Sequence, residues 1–240
     1  MNKISNLAAI DMIDLENLDK NELIELIKNL NVKYCQNIKE FGHLKSQLEI
    51  NEIVLDTQKK MVEEALKEIH ELSITDPLTR LYNRRFFNDI FNKELSRAIR
   101  EQNYITLSIF DIDSFKLYND TYGHQKGDEA LMKIGALLKD TLKRPSDYAF
   151  RLGGEEFGLL FCHIGPNESY AFCEEIRKGI EALALEHSFN SASSFLSASF
   201  GLVSIKPSPE TTLKLLYNKA DEALYSSKKS GKNRTTIANI

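Results

Sequence analysis

Residues 1–72 contain no proline and a single glycine, Gly42, and from residue 27 an apolar side chain returns at every seventh position. The series Ile27, Tyr34, Phe41, Leu48, Leu55, Val62 and Ile69 sets heptad position a, with Leu23, Leu30, Asn37, Leu44, Asn51, Gln58, Ala65 and Leu72 at position d. A strict seven-residue repeat keeps one helical seam facing a partner helix, so this stretch predicts a coiled coil, with the polar d residues fixing its register. Continuous from residue 23 to 72, such a helix is about 75 Å long and has no core of its own. The reading favours a parallel homodimer. An antiparallel hairpin broken near Gly42 is the alternative, because glycine weakens a helix there. Residues 1–20 carry no clear pattern and read as a mobile tail or a short docking helix.

A composition shift marks where this part ends. The remainder of the 240-residue chain holds all five prolines and ten of the eleven glycines. Residues 1–72 carry 9 Lys and Arg against 14 Asp and Glu, net −5, which leaves the remainder at 22 against 21, net +1. We therefore divide the chain into a helical dimerisation and regulatory segment, 1–72, and a globular domain, 73–240. A net charge of −4 does not suit a polyanion binder, so nucleic acid is not an expected partner. No apolar run approaches the roughly 18 residues needed to span a bilayer, and the acidic residues Asp11, Asp14 and Glu16 interrupt the N-terminus, so a cytoplasmic protein with no membrane association is expected. Three scattered cysteines, Cys35, Cys162 and Cys173, fit a reducing compartment better than a disulfide framework.

The texture after residue 73 is mixed. Helical spacing covers Phe86 to Leu95, Leu131 to Leu142, a stretch around Cys173 and residues 212–229, whereas "YITLSIFDID" alternates as a strand and delivers Asp111 at its end. "RLGGEEFGLLF" reads as a hairpin, and "SFLSASFGLVSI" as a strand pair. Alternating elements of this kind imply a sheet covered by helices, an α+β fold.

Asp111 and Asp113 leave the end of one strand, and the hairpin tip adds Glu155 and Glu156. Carboxylates gathered from separate segments are hard oxygen donors suited to Mg²⁺, which binds through one or two of them plus substrate phosphates. Taken singly, these residues read as well in other ways: Asp113 as an N-cap of the helix at "SFKLYND", the glutamates as a polar turn, Asp128 as an N-cap of the next helix, and the glycines as a tight turn.

Four motifs in one order resolve that ambiguity. "DPLTRLYNRR", "FDIDSFKLYNDTYGHQKGDEAL", "RLGGEEF" and "ADEALYSSKKSGKNR" resemble the GGDEF family of diguanylate cyclases over about residues 74–238. The resemblance implies a palm-like fold related to nucleotidyl cyclases and polymerases, with a central antiparallel sheet flanked by helices. It implies condensation of two GTP into cyclic di-GMP plus two pyrophosphates by two facing domains, with Mg²⁺, or Mn²⁺ as a substitute.

Residue by residue, the resemblance makes Asp111, Glu155 and the Ile112 carbonyl metal ligands, and Glu156 a metal ligand or proton acceptor. Lys116 becomes a phosphate clamp, and Asn119 with Asp128 the guanine-binding pair. His124 is implied as a substrate contact, Gly153 and Gly154 as room for the triphosphate, and Lys228 and Lys232 as ligands of the distal phosphates. Lys232 stands where the family usually has arginine, which keeps the charge but loses a bidentate contact. Arg144 and Asp147 match an RxxD site for inhibitory cyclic di-GMP. Family members often add an arginine from the following helix; "CEEIRKG" offers glutamates and only Arg177. An inactive cyclic di-GMP receptor and a coiled-coil scaffold with a passive head are the rival readings, and an unidentified protein partner of the N-terminal helices stays open.

Overall fold

The computed structural model describes residues 18–238. Backbone contacts divide the chain into Met1–Lys67 and Glu68–Ile240. The expected tail over residues 1–20 falls almost wholly outside the described residues.

Helix α1, Lys20–Ile74, opens on a reciprocal cap. The Asp19 carboxylate accepts from the backbone N–H groups of Asn21 and Glu22 (2.7 and 2.9 Å), while Glu22 accepts from the Asp19 N–H (2.9 Å). This exchange satisfies donors that the first helical turn leaves free. The helix runs through Gly42 without a break, so the hairpin alternative is not adopted. The seven a-position side chains are each at least half exposed, from 51% at Ile27 to 72% at Phe41.

The second unit is a six-stranded sheet between two helical layers. Its elements are β1 (Tyr82–Asn83), α2 (Arg84–Glu101), β2 (Ile105–Ile112), α3 (Phe115–Tyr122), α4 (His124–Thr141), β3 (Asp147–Gly153), β4 (Glu156–Cys162), α5 (Pro166–Ala182), β5 (Ala198–Ile205), α6 (Leu213–Lys229) and β6 (Thr235–Ile237). The strand order is β1-β3-β4-β2-β5-β6. The four central strands pair antiparallel, as expected, while the edge strands β1 and β6 pair parallel, which makes the sheet mixed. The strand pair expected over residues 194–205 is one strand, β5; the preceding segment contributes only the isolated bridge Glu186 to Phe195.

Strand β2 lies at the centre and is buried on both faces. Ile105, Leu107 and Ile109 pack with Phe87, Phe91 and Leu95 of α2 and Leu216, Ala220 and Leu224 of α6. Phe110 and Ile112 pack with α3, α4 and α5 on the other side. Phe110 stacks between its cross-strand neighbours Phe157 and Phe200, at 5.0 and 4.4 Å between ring centroids.

Ile109 has a glycine opposite it on each side, Gly158 on β4 and Gly201 on β5. Gly201 is where α6 touches the sheet: a Cβ there would stand 2.7 Å from Leu224 Cα and closer still to the Leu224 nitrogen and the Ala220 carbonyl. This close backbone approach fixes the height of α6 above β2.

Candidate active site

The site grows from the end of β2. Asp111 faces Glu156 directly across the β2–β4 ladder, and the Ile112 N–H reaches the Glu155 carbonyl at 3.4 Å. Gly153 pairs with Glu156, leaving Gly154 and Glu155 in the turn. Gly153 has φ 152° and Gly154 φ 54°, backbone that a side chain disfavours, and a Cβ on either would meet nothing within 4 Å. The turn therefore needs glycine for its conformation and presents bare backbone to open space.

Arg151 braces this turn from beneath. Its Nε donates to the Gly154 carbonyl at 2.9 Å and its Nη1 to both oxygens of Asp76 at 3.2 and 3.3 Å. Asp76 also accepts from the Thr79 N–H and hydroxyl (2.8 and 2.7 Å). Burial by itself raises the Asp76 carboxyl, but the bonds from Thr79 and the Arg151 charge outweigh it and hold the group below its ordinary value.

Helix α6 supplies the cations and one hydroxyl. Lys228 Nζ lies 2.9 Å from Asp111 Oδ1, and the Tyr217 hydroxyl donates to Glu156 Oε1 at 3.0 Å. Burial and the Glu156 charge push the Tyr217 phenol up to about 12, so it remains a donor near neutral pH. Burial also raises Asp111 above the ordinary carboxyl value; Lys228 opposes the rise, while Glu155 and Asp113 add to it. Lys232, past the end of α6, donates from Nζ to Ser114 Oγ at 2.7 Å.

The nearby oxygens suit a hard divalent cation. Asp111 and Glu155 repel one another at a half-buried position, a repulsion that a cation between them relieves. Among the described residues no three His, Cys, Asp or Glu side chains close into a cage. Mg²⁺ is usually held by one or two carboxylates together with substrate phosphates.

Asp113 departs from its expected place as a helix cap. Helix α3 is instead preceded by Ser114, at φ 56° and without a side-chain cap bond, while Asp113 is 1% exposed and accepts from the Ser197 and Ser199 hydroxyls (2.7 and 2.6 Å) and the Asn233 N–H (3.1 Å). Asp128 is likewise no N-cap, because α4 starts at His124 after Gly123 and Asp128 sits inside it.

Helices α3 and α4 carry the remaining sequence candidates. Asn119 is half buried against Gly127, where an added Cβ would run into its amide, and its Oδ1 is buried with no hydrogen-bond partner. Lys116, His124 and Asp128 are exposed. Among the described residues no hydrogen bond or ion pair joins those three to the carboxylates.

Arg144 and Asp147 lie at the opposite end of β3 from the glycines, about 20 Å along the strand. They line a cavity of about 420 Å³ with Lys143, Phe172 and Glu175. Both Asp147 carboxylate oxygens are buried without a hydrogen-bond partner. Burial raises the Asp147 carboxyl, with Arg144 acting the other way. Arg177 does not line this cavity; it is tied to Glu174 and Asn233 instead.

Asp76, Arg151 and Tyr217 were not among the sequence candidates. Signals existed for the first two, which stand in the "DPLTRLYNRR" and "RLGGEEF" motifs, whereas the Tyr217 to Glu156 bond joins residues 61 positions apart and leaves no local mark.

Comparisons with known proteins agree with this architecture. A family model described as "Diguanylate cyclase, GGDEF domain" matches residues 73–234. Diguanylate cyclase DosC of Escherichia coli is 37% identical over 179 residues, which cover 74% of this chain but only 38% of DosC. The crystal structure of the coiled coil and GGDEF domain of DgcB from Caulobacter crescentus, in complex with c-di-GMP, superimposes with TM-score 0.71 at 30% identity, over 80% of this chain and 99% of that one. Diguanylate cyclase SiaD from Pseudomonas aeruginosa, solved with its activator SiaC, matches 98% of this chain and 90% of its own at TM-score 0.64 and 32% identity. With its sheet, its glycine hairpin and its strand-end carboxylate in the arrangement described above, the chain belongs to the GGDEF-domain diguanylate cyclase family.

Proposed function

We propose that the chain is a Mg²⁺-dependent diguanylate cyclase that condenses two GTP into cyclic di-GMP and two pyrophosphates as a homodimer. The observation that carries this reading is the strand-end Asp111 set opposite Glu156, beside Lys228 and an open glycine turn. Bare backbone at Gly153 and Gly154 leaves room for a triphosphate, and Lys228, Lys232 and Lys116 carry charge to its phosphates. Asp111, Glu155 and the Ile112 carbonyl would hold the metal. The chemistry that Mg²⁺ would supply there is activation of the attacking 3′-oxygen and neutralisation of phosphate charge. Tyr217 orients Glu156 by its hydrogen bond, which leaves the second carboxylate oxygen of Glu156 for the metal or for the 3′-hydroxyl proton.

Asn119 and Asp128 select guanine, since a carboxylate accepts from both N1–H and the 2-amino group whereas adenine lacks that donor pair; His124 adds a substrate contact. The unpartnered Asn119 Oδ1 supports a ligand-facing amide.

One chain holds one GTP, so the 3′-hydroxyl of each nucleotide attacks the α-phosphate of the other. The exposed heptad seam of α1 supports a parallel dimer that raises the effective concentration of one half-site for the other. In this reading the helical segment 1–72 regulates the domain 73–240. The SiaC activator in the SiaD structure supports a protein regulator here also. We assign the reaction to the cytoplasm, in keeping with three free cysteines.

Cyclic di-GMP occupies the Arg144 and Asp147 cavity as an inhibitor, a role that the unpartnered Asp147 oxygens support. Glu175 in the wall sets a like charge against the phosphates of that ligand.

Incubation with GTP and Mg²⁺ followed by mass analysis tests the reading. Cyclic di-GMP is expected, Glu155→Ala abolishes it with the fold intact, and deletion of residues 1–72 lowers specific activity steeply at low protein concentration. A folded wild-type dimer that makes no product overturns it.

A further inference from the structure

Lys232 and Asn233 are consecutive non-glycine residues with left-handed backbone, φ 62° and 44°, after Gly231 at φ 109°. Asparagine tolerates this region, whereas for lysine it costs about 1–2 kcal/mol. Such a conformation persists only where its surroundings over-determine it. Here they do, and most of the restraints converge on Asn233.

The Asn233 N–H donates to Asp113 Oδ2 at 3.1 Å, its side-chain oxygen accepts from Arg177 Nη1 at 2.7 Å, and its Nδ2 donates to Glu181 Oε1 at 3.1 Å. On either side, the Lys232 N–H reaches the Ser227 carbonyl at 3.0 Å and the Thr235 hydroxyl reaches Glu174 Oε1 at 2.6 Å. Arg177 is itself immobilised: Glu174 takes its Nε and Nη2, Glu181 lies 3.5 Å from its Nη1, and only 12% of its side chain is exposed. Asp113, the other anchor, stands two residues beyond Asp111.

We propose that Arg177 is a positioning residue for the triphosphate site. Through Asn233 it locks the turn over residues 231–234 and so sets the Lys232 ammonium beside Ser114, three residues beyond Asp111. The inference rests on the cyclase reading for what Lys232 touches, the distal phosphates of GTP. It gives Arg177 a role in place of the product contact that the sequence left open for it.

The test uses the full chain and compares Arg177→Ala, Arg177→Lys, Lys232→Ala and the double variant Arg177→Ala/Lys232→Ala. Binding is measured for GMP and for the non-reacting α,β-methylene analogue of GTP, with Mg²⁺. Arg177→Ala should weaken the triphosphate analogue about tenfold, the scale of one charge-assisted contact, and leave GMP within about twofold. Arg177→Lys should recover part of the loss, and the double variant should bind no more weakly than Lys232→Ala. Trypsin should cut after Lys232 faster in Arg177→Ala than in wild type at a temperature where both are fully folded. Should Arg177→Ala fold poorly, Asn233→Gly removes the side-chain bonds to Arg177 and Glu181 while permitting the same backbone, and should reproduce the selective loss.

Equal loss of both nucleotides, multiplicative losses in the double variant, or an equally protected turn overturns the proposal. Wild-type protein that binds neither nucleotide overturns the cyclase reading instead, and the tryptic comparison still decides whether Arg177 holds the turn.

Discussion

Replacing Gly201 by alanine should disable the protein, whereas the same change at Gly158 should scarcely be felt, although both glycines flank Ile109. At Gly201 the new methyl meets the α6 backbone itself, 2.7 Å from Leu224 Cα and closer to two further backbone atoms. A helix backbone cannot rotate aside, so α6 must lift by about 1 Å to restore ordinary contact distances. Overpacking of this kind costs about 1–3 kcal/mol, which for a unit of this size corresponds to a melting temperature lower by about 2–12 °C. Because α6 carries Tyr217 and Lys228, the lift also moves both away from Glu156 and Asp111, and a misplacement of about 1 Å can lower turnover about a hundredfold. At Gly158 the methyl would meet the end of the Leu152 side chain, Cδ1 at 3.2 Å with Cγ and Cδ2 at 3.4 and 3.5 Å, which can give by a few tenths of an ångström, and the loss of unfolded-state freedom partly offsets any strain. Thermal melts by circular dichroism and GTP turnover, measured on both variants, test the argument. If Gly201→Ala melts within about 1 °C of wild type, or if Gly158→Ala is the more damaging, the account of how α6 is seated is wrong.

Asp76→Asn should destabilise the fold by roughly 1–3 kcal/mol at neutral pH, the scale of a hydrogen-bonded charge. Because the folded carboxyl lies below its ordinary value of 3.8, its contribution is fully present above that pH and fades as pH falls through the folded-state value, so urea titrations of wild type and variant should converge in acid. Glu175→Arg should strengthen cyclic di-GMP binding about tenfold or more by calorimetry, since it replaces a repelling carboxylate with a phosphate fork in the Asp147 cavity. Lys232→Arg should lower the KM for GTP by a few fold with kcat nearly unchanged, read from initial rates, because the fork restores a bidentate contact.

The parts of this molecule that were legible in its sequence are those whose partners lie within one element. The a-position repeat, the apolar faces of α2, α4 and α6, and the alternation that ends at Asp111 all depend on local period, and each element formed where its period placed it. Contacts across the fold left no such mark. Asp113 looked like a cap because a cap needs only its neighbours, whereas its actual donors, Ser197, Ser199 and Asn233, stand 84 to 120 residues away. Helix α4 starts at His124, ahead of the apolar spacing that begins at Leu131, because α3 and α4 meet at Gly123, whose φ of 88° lets one helix follow another with no loop between them. The site candidates came from motif resemblance, which carries the long-range information that periodicity lacks; the bracing contacts that Arg151, Tyr217 and Arg177 make became visible only in three dimensions.

The aromatic row across β4, β2 and β5 bears on how the chain checks itself while folding. Phe110 stacks between Phe157 and Phe200 on one side of the sheet, and the next residue, Asp111, turns to the other. Were β2 to pair one residue out of step, its side chains would exchange faces, and Asp111 would enter the apolar layer formed with α3, α4 and α5 as Phe110 left it. A mispaired strand thus forfeits its aromatic stack and buries an unpaired carboxylate in one stroke. Mispairing of β2 should therefore yield chains that fail to fold, rather than folded chains with a misdirected acid.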